Sequence, residues 1–191
     1  MVALLAQERM IAGKFRDAER AANAALEVCR VVGVEADAEA VHATTTLGVV
    51  RGWGDDPESG LAILRQARER ARALGDRDGY FRATANLTTV LDLLGRREEA
   101  IEVSYEGIEE ARRVGQEAVY GNFLRGNAAE SLFLLGRWAE SRALSQAALE
   151  WSEGGASHVW SLVNLAMVET ETSAGELAGR MKQSGRMWVL L

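Results

Sequence analysis

Few groups in this chain have the spacing that chemistry requires. His42 and His158 stand apart, with neither the HExxH spacing of a zinc helix nor a cysteine partner, and read as packed or surface histidines. Asp55, Asp56 and Glu58 gather at a turn, but a hard cation needs more oxygen ligands than this stretch supplies. "GDDPES" is better explained as a helix start, with Asp56 as N-cap and Pro57 in the first helical position. "GWGDDP", residues 52–57, begins like a dinucleotide fingerprint, yet Pro57 stands where the third glycine is needed and no strand precedes it. No GxxxxGK[ST] phosphate loop occurs, and Ser59 and Ser141 have no base and orienting group arranged with them. Cys29, the single cysteine, reads as a small packed residue. The expectation is a protein without catalytic residues, metal or cofactor.

Arg65, Arg68 and Arg72 fall on one helical face at steps of three and four, where either an acidic partner or solvent would meet them. Glu69 and the overall charge favour solvent. That charge is −6, from 28 acidic and 22 basic residues, so no positive field draws a phosphate backbone and direct nucleic-acid binding is disfavoured. No apolar run reaches the about 18 residues of a membrane span and no signal-peptide pattern appears, which points to a cytoplasmic chain without membrane contact.

The elements that would position any site are helices. Apolar residues make up 48% of the chain and proline occurs once, which suits long helices around a continuous core. They also repeat. "LLGRREEA" at 93–100 returns as "LLGRWAES" at 134–141, and Gly13, Gly54, Gly95 and Gly136 are spaced 41 residues apart. Five positions after each comes a small residue, Ala18, Ser59, Ala100 or Ser141. A second set of glycines, Gly33, Gly75 and Gly115, closes the second helix of each unit, a place where glycine supplies the left-handed turn that stops a helix. Ala18, Ala25, Ala100, Gly107, Ser141 and Ala148 permit close helix crossing. This pattern predicts helices at 2–12, 15–32, 36–52, 58–74, 78–94, 97–114, 118–135, 138–152 and 158–173. One array over 1–175, of about four helix pairs with the first incomplete, accounts for most of the chain. Residues 176–191 read as an irregular tail or degenerate cap, after what looks like one more joint at Gly175.

"NLTTVLDLLGRREEAIEVSYEGIE", from Asn86 to Glu109, resembles the tetratricopeptide helix pair: Asn86, Leu87, Gly95 and Ala100 match its pattern, as do Asn127, Gly136 and, more loosely, Ser141. The family's usual period is about 34 residues and its units carry a boundary proline, so this chain departs in both. "VHATTTLGVVRGWGDDPESGLAILRQARERARALGD", "ATANLTTVLDLLGRREEAIEVSYEGIEEARRVG" and "YGNFLRGNAAESLFLLGRWAESRALSQAALEW" are similar to the helical-repeat region of large actinobacterial LuxR-type transcriptional regulators of the maltose-activator kind. The resemblance implies an all-α fold, a right-handed α-solenoid of antiparallel helix pairs. It further implies a sensor or scaffold segment, without the ATPase and DNA-binding parts of those regulators.

In tetratricopeptide arrays the first helix of each pair lines the groove. Positions related by the 41-residue period there are Val41, Arg82 and Phe123; Gly48, Thr89 and Glu130; Arg51, Asp92 and Phe133. Arg51, Arg82, Thr89, Asp92, Phe123, Glu130 and Phe133 are therefore the candidate binding residues, for a protein segment or a small effector. Phe123 and Phe133 read more readily as packing between helices than as groove contacts. Trp53 and Trp138, flanking joints, read as rings that seal the end of a helix pair. The alternative function is self-association into a homo-oligomer through open array ends, suggested by Met187, Trp188, Val189, Leu190 and Leu191.

Overall fold

The computed structural model of the protein describes residues 2–33, 37–151 and 154–183, with 156 and 176–183 described by their backbone alone. Met187–Leu191, on which the self-association reading rests, lie outside the described residues. The described residues are helical, without a strand among them: α1 (Val2–Ile11), α2 (Phe15–Val32), α3 (Asp37–Gly52), α4 (Pro57–Leu74), α5 (Arg77–Leu93), α6 (Arg97–Arg113), a π-helical turn (Glu117–Gly121), α7 (Asn122–Leu134), α8 (Trp138–Glu150) and α9 (Ala156–Gln183). They form two compact units, Met1–Gly107 and Ile108–Leu191, with the boundary inside α6.

In unit 1 each helix from α1 to α5 packs on the next, and α3 also touches α1 and α5. Gly60, in the first turn of α4, lies against Gly48 and Gly52 near the end of α3, so this pair is antiparallel. Val41 meets Gly79 at the starts of α3 and α5 while Gly52 meets Val90 at their ends, so these two run parallel. The space between them is filled by Val49, Leu61, Leu64, Leu87, Val90, Leu91, Ala100 and Val103. Burying each such leucine stabilises the fold by about 2 kcal/mol. In unit 2, α7 packs on α8, α8 on α9, and α7 on α9. Ser141 Oγ donates to the Ala129 carbonyl at 2.7 Å, fixing how α8 lies on α7.

The joints explain the glycine spacing, with one exception. At Gly13, Gly95 and Gly136 the backbone has φ of 70°, 73° and 75°, and the next residue's N–H reaches back to the helix: Lys14 to Arg9, Arg96 to Leu91, Arg137 to Leu132, each at 2.9 Å. Gly54 does not take the left-handed conformation. Its joint, Trp53 to Asp56, is one residue longer than the others, and the helix start is set by Asp56, whose carboxylate accepts the Ser59 N–H at 3.2 Å, ahead of Pro57. The extra residue also moves the small position. Ala18, Ala100 and Ser141 are each the fourth residue of their helix and are buried, whereas in α4 that place falls to Gly60, not Ser59.

Two further expectations are corrected. α9 continues through Gly175 to Gln183, so no joint forms there. The alanines, glutamate and leucine of "SAGELAGR" favour continued helix. Trp53 and Trp138 do not seal their joints; they are 50% and 37% exposed.

Candidate functional site

In unit 1 the candidate groove residues Arg51, Arg82 and Asp92 are held by partners on adjacent helices. Arg51 on α3 pairs with Glu19 on α2 at 2.5 Å. Asp92 pairs with Arg97 at 3.4 Å, and the exposed Thr89 returns its hydroxyl to the Ala85 carbonyl at 3.0 Å. Arg82 on α5 reaches across to α3, donating from Nη1 to the His42 carbonyl at 2.9 Å and from Nη2 to Thr46 Oγ1 at 2.8 Å.

On the arginine face of α4 Arg68 is internal, while Arg65 is partly exposed and Arg72 exposed, as a solvated face would be. Arg65 pairs with Glu99, and Arg68 is buried, donating to Glu106 at 2.6 Å and to the Tyr80 hydroxyl at 3.1 Å. Arg72 donates to the same hydroxyl at 2.9 Å, and the guanidinium carbons of Arg68 and Arg72 lie 5.3 and 4.9 Å from the Tyr80 ring centre. These arginines fasten α4 to α5 and α6. The sequence offered Glu99 and Glu106 as acids on α6 but not the helix rotation that aims them at α4.

Unit 2 has an open groove. Its volume is about 620 Å³, and Glu130 of α7 lines it together with Val159, Trp160, Val163 and Met167 of α9. Residues 159, 163 and 167 follow steps of four and so share a helix face. Gly126 of α7 faces Trp160, and a methyl group there would sit 3.7 Å from the ring, an ordinary contact. Asn164 fixes the register, donating from Nδ2 to the Gly126 carbonyl at 3.1 Å. Phe123 belongs to the same edge, 40% exposed with its ring centre 6.3 Å from that of Trp160 and tilted by 58°. Phe133 is half-buried on the same helix. The groove thus brings Glu130 together with α9 residues that the sequence reading did not select. Their four-residue apolar spacing was visible, but following the 41-residue register past α8 misplaces them, because the connection before α9 is longer than its counterparts.

Behind α7 lies a polar interior. The Arg125 guanidinium donates to Glu117 Oε1 at 2.6 Å across the π-helical turn, and both side chains are largely buried. One turn earlier, Asn122 is 1% exposed and neither its Nδ2 nor its Oδ1 has a protein partner. Ser145 Oγ, fully buried on α8, has none either.

Other chemistry is sparse. Burial pushes the Cys29 thiol up, with Glu39 adding to the shift, which makes it less reactive than a free thiol. Burial holds the half-buried His42 imidazole below its ordinary range, and the nearby Arg82 charge acts the same way. Among the described residues no three His, Cys, Asp or Glu side chains group as metal ligands, and no helix is long and apolar enough to cross a membrane. No protein-family model matches the chain and no curated protein is similar to it. Fold and site define an all-helical, repeat-like protein with an apolar groove between two helices of its second unit.

Proposed function

We propose that this chain is a non-catalytic binding module, a right-handed, tetratricopeptide-like α-solenoid of 41-residue period that forms the sensor or scaffold part of a cytoplasmic LuxR-type transcriptional regulator. Its ligand, a protein segment or small effector, occupies the groove between α7 and α9. The observation that carries this reading is the groove itself: Val163 and Trp160 are 50% and 42% exposed although they flank a preformed recess. An apolar recess with an aromatic wall and one carboxylate at its side has the composition of a ligand site, in which burial drives affinity and a few polar groups set orientation.

The test uses ¹⁵N spectra of the whole chain, in which the Trp160 indole N–H reports on the groove. A panel of apolar small effectors and amphipathic peptides is titrated into the wild type and into Val163→Asp, which places a charge in the recess at an exposed position. The expected result is a member of the panel that shifts the Trp160 signal in the wild type and binds the variant about tenfold or more weakly, since a desolvated unpaired carboxylate costs at least about 1.4 kcal/mol. A panel that leaves Trp160 unmoved, or equal binding by Val163→Asp, removes the groove from the reading.

A further inference from the structure

Unit 1 contains a cation whose setting is unlike that of its neighbours. Arg51, Arg65, Arg68 and Arg96 each have a carboxylate at ion-pair distance. Arg82 is partly buried between α3 and α5, and its two protein partners are neutral oxygens. A guanidinium has five N–H donors in a rigid plane; two are used on His42 and Thr46, which leaves three. The plane is held firmly. Thr46 Oγ1 also bonds the His42 carbonyl, at 3.1 Å, so both acceptors of Arg82 are tied to one turn of α3.

Burial lowers the Arg82 pKa to about 10, with no carboxylate offsetting it. The acids nearby are committed elsewhere: Glu39 accepts the Ala3 N–H at 3.2 Å, and Asp76 caps α5 through the Gly79 N–H at 2.9 Å. The imidazole of His42, which feels the Arg82 charge, has its Nε2 buried without a protein partner. A desolvated charge that lacks a counter-ion gains more from an incoming anion than one already paired, because the cost of taking it out of water has been met by folding.

We propose that Arg82 anchors the carboxylate of a ligand on the α3–α5 face of unit 1, with its unused N–H groups as donors and His42 at the side of the site. One uncompensated positive charge matches a singly charged planar anion, and the fork geometry of the guanidinium matches a carboxylate. This inference shares with the proposed function the idea of a binding module but does not depend on the groove of α7 and α9, since Arg82 and Trp160 belong to different units. A failure of either experiment therefore leaves the other standing.

The test reads the arginine Nε–Hε signals of the full chain, assigned through bonds, during titration with sodium acetate against sodium chloride at equal ionic strength. The expected result is a saturable shift of Arg82 in acetate, absent in chloride, while Arg51 and Arg65, which have their own carboxylates, do not saturate. Thr46→Val, which removes one acceptor and loosens the plane, should weaken the acetate response without abolishing it. A parallel titration with an acetylated and amidated glutamyl tripeptide distinguishes a free acid from an acidic side chain by which half-saturates first. An Arg82 signal that follows chloride as well as acetate, or moves no more than those of Arg51 and Arg65, overturns the proposal. Tighter binding of inorganic phosphate than of acetate overturns the carboxylate assignment.

Discussion

α5 in unit 1 and α7 with its preceding π-helical turn in unit 2 bury the same positions and fill them with different chemistry. Tyr80, Phe81, Ala83, Thr84, Leu87, Thr88, Val90 and Leu91 are buried in the first; the residues 41 further on, Gly121, Asn122, Leu124, Arg125, Ala128, Ala129, Ser131 and Leu132, are buried in the second. Where unit 1 has Phe81, unit 2 has Asn122 with an unpartnered amide. Where unit 1 has Thr84, bonded to the Tyr80 carbonyl at 2.8 Å, unit 2 has the ion-paired Arg125. The spacing of the sequence therefore governs which positions go inside, while residue type decides whether the interior is sealed. Unit 1 is closed by glycine contacts and arginine bridges; unit 2 keeps a polar interior on one side of α7 and an open groove on the other.

The largest expected effect tests how tightly each unit is closed. A methyl group at Gly60 would stand 2.3 Å from the Gly52 nitrogen and 2.7 Å from the Gly48 oxygen, both backbone atoms that cannot rotate away. Gly60→Ala should lower the unfolding free energy by about 3 kcal/mol or more, measured by urea denaturation. Gly126→Ala offers the contrast, because the new methyl meets Trp160 at ordinary contact distance, 3.7 Å. There the gain in helix propensity, up to about 1 kcal/mol, should show as equal or greater stability. Equal destabilisation by both variants would mean that the two crossings are equally tight and would end the contrast.

Asn122 sharpens it from the other side. Its two amide atoms are buried with no protein partner, and an unsatisfied buried polar group costs about 1–3 kcal/mol. Asn122→Leu, which approaches the apolar character of Phe81 at the corresponding place, should raise stability by about 1 kcal/mol in the same denaturation experiment. A loss of that size would instead show that the amide is satisfied by internal water and that the polar interior is a stabilising part of unit 2.

Much of the fold was legible because it rests on local rules. Gly95 and Gly136 end helices through left-handed turns, Asp56 and Pro57 start one, and Ala18, Ala100 and Ser141 occupy close crossings, as residue size and backbone freedom require. The misreadings at Gly54, Ser59 and Gly175 came from trusting the period where local chemistry had changed: an inserted residue in one joint, and helix-favouring alanines, glutamate and leucine around Gly175. The site was less legible. Phe123 and Glu130 were selected by position, but the recess also needs α9, which the Asn164 bond holds against α7. Nothing in the spacing of charges indicates that Arg68 turns inward to Tyr80 while Arg82 finds only neutral oxygens, because that depends on helix rotation.

The smallest expected effect belongs to unit 1 and comes from its histidine. Burial first, and Arg82 second, hold the His42 imidazole below its ordinary value of 6.5, while Glu39 and Asp76 act weakly in the opposite sense. The folded state thus binds this proton less readily than the unfolded chain, so stability rises with pH across the interval between the two pKa values. The contribution is fully present above about 6.5, the unfolded value, declines as the pH falls through it, and is lost once the pH is below the folded value. Melting temperatures between pH 5 and 7.5 should therefore climb with pH in the wild type and climb less in His42→Gln, which keeps a polar side chain but removes the titration. Parallel curves for the two proteins would place the pH dependence elsewhere. If the slope instead steepens in Arg82→Gln, the arginine is not opposing the charge on His42, and the tie between α3 and α5 at this point is mechanical rather than electrostatic.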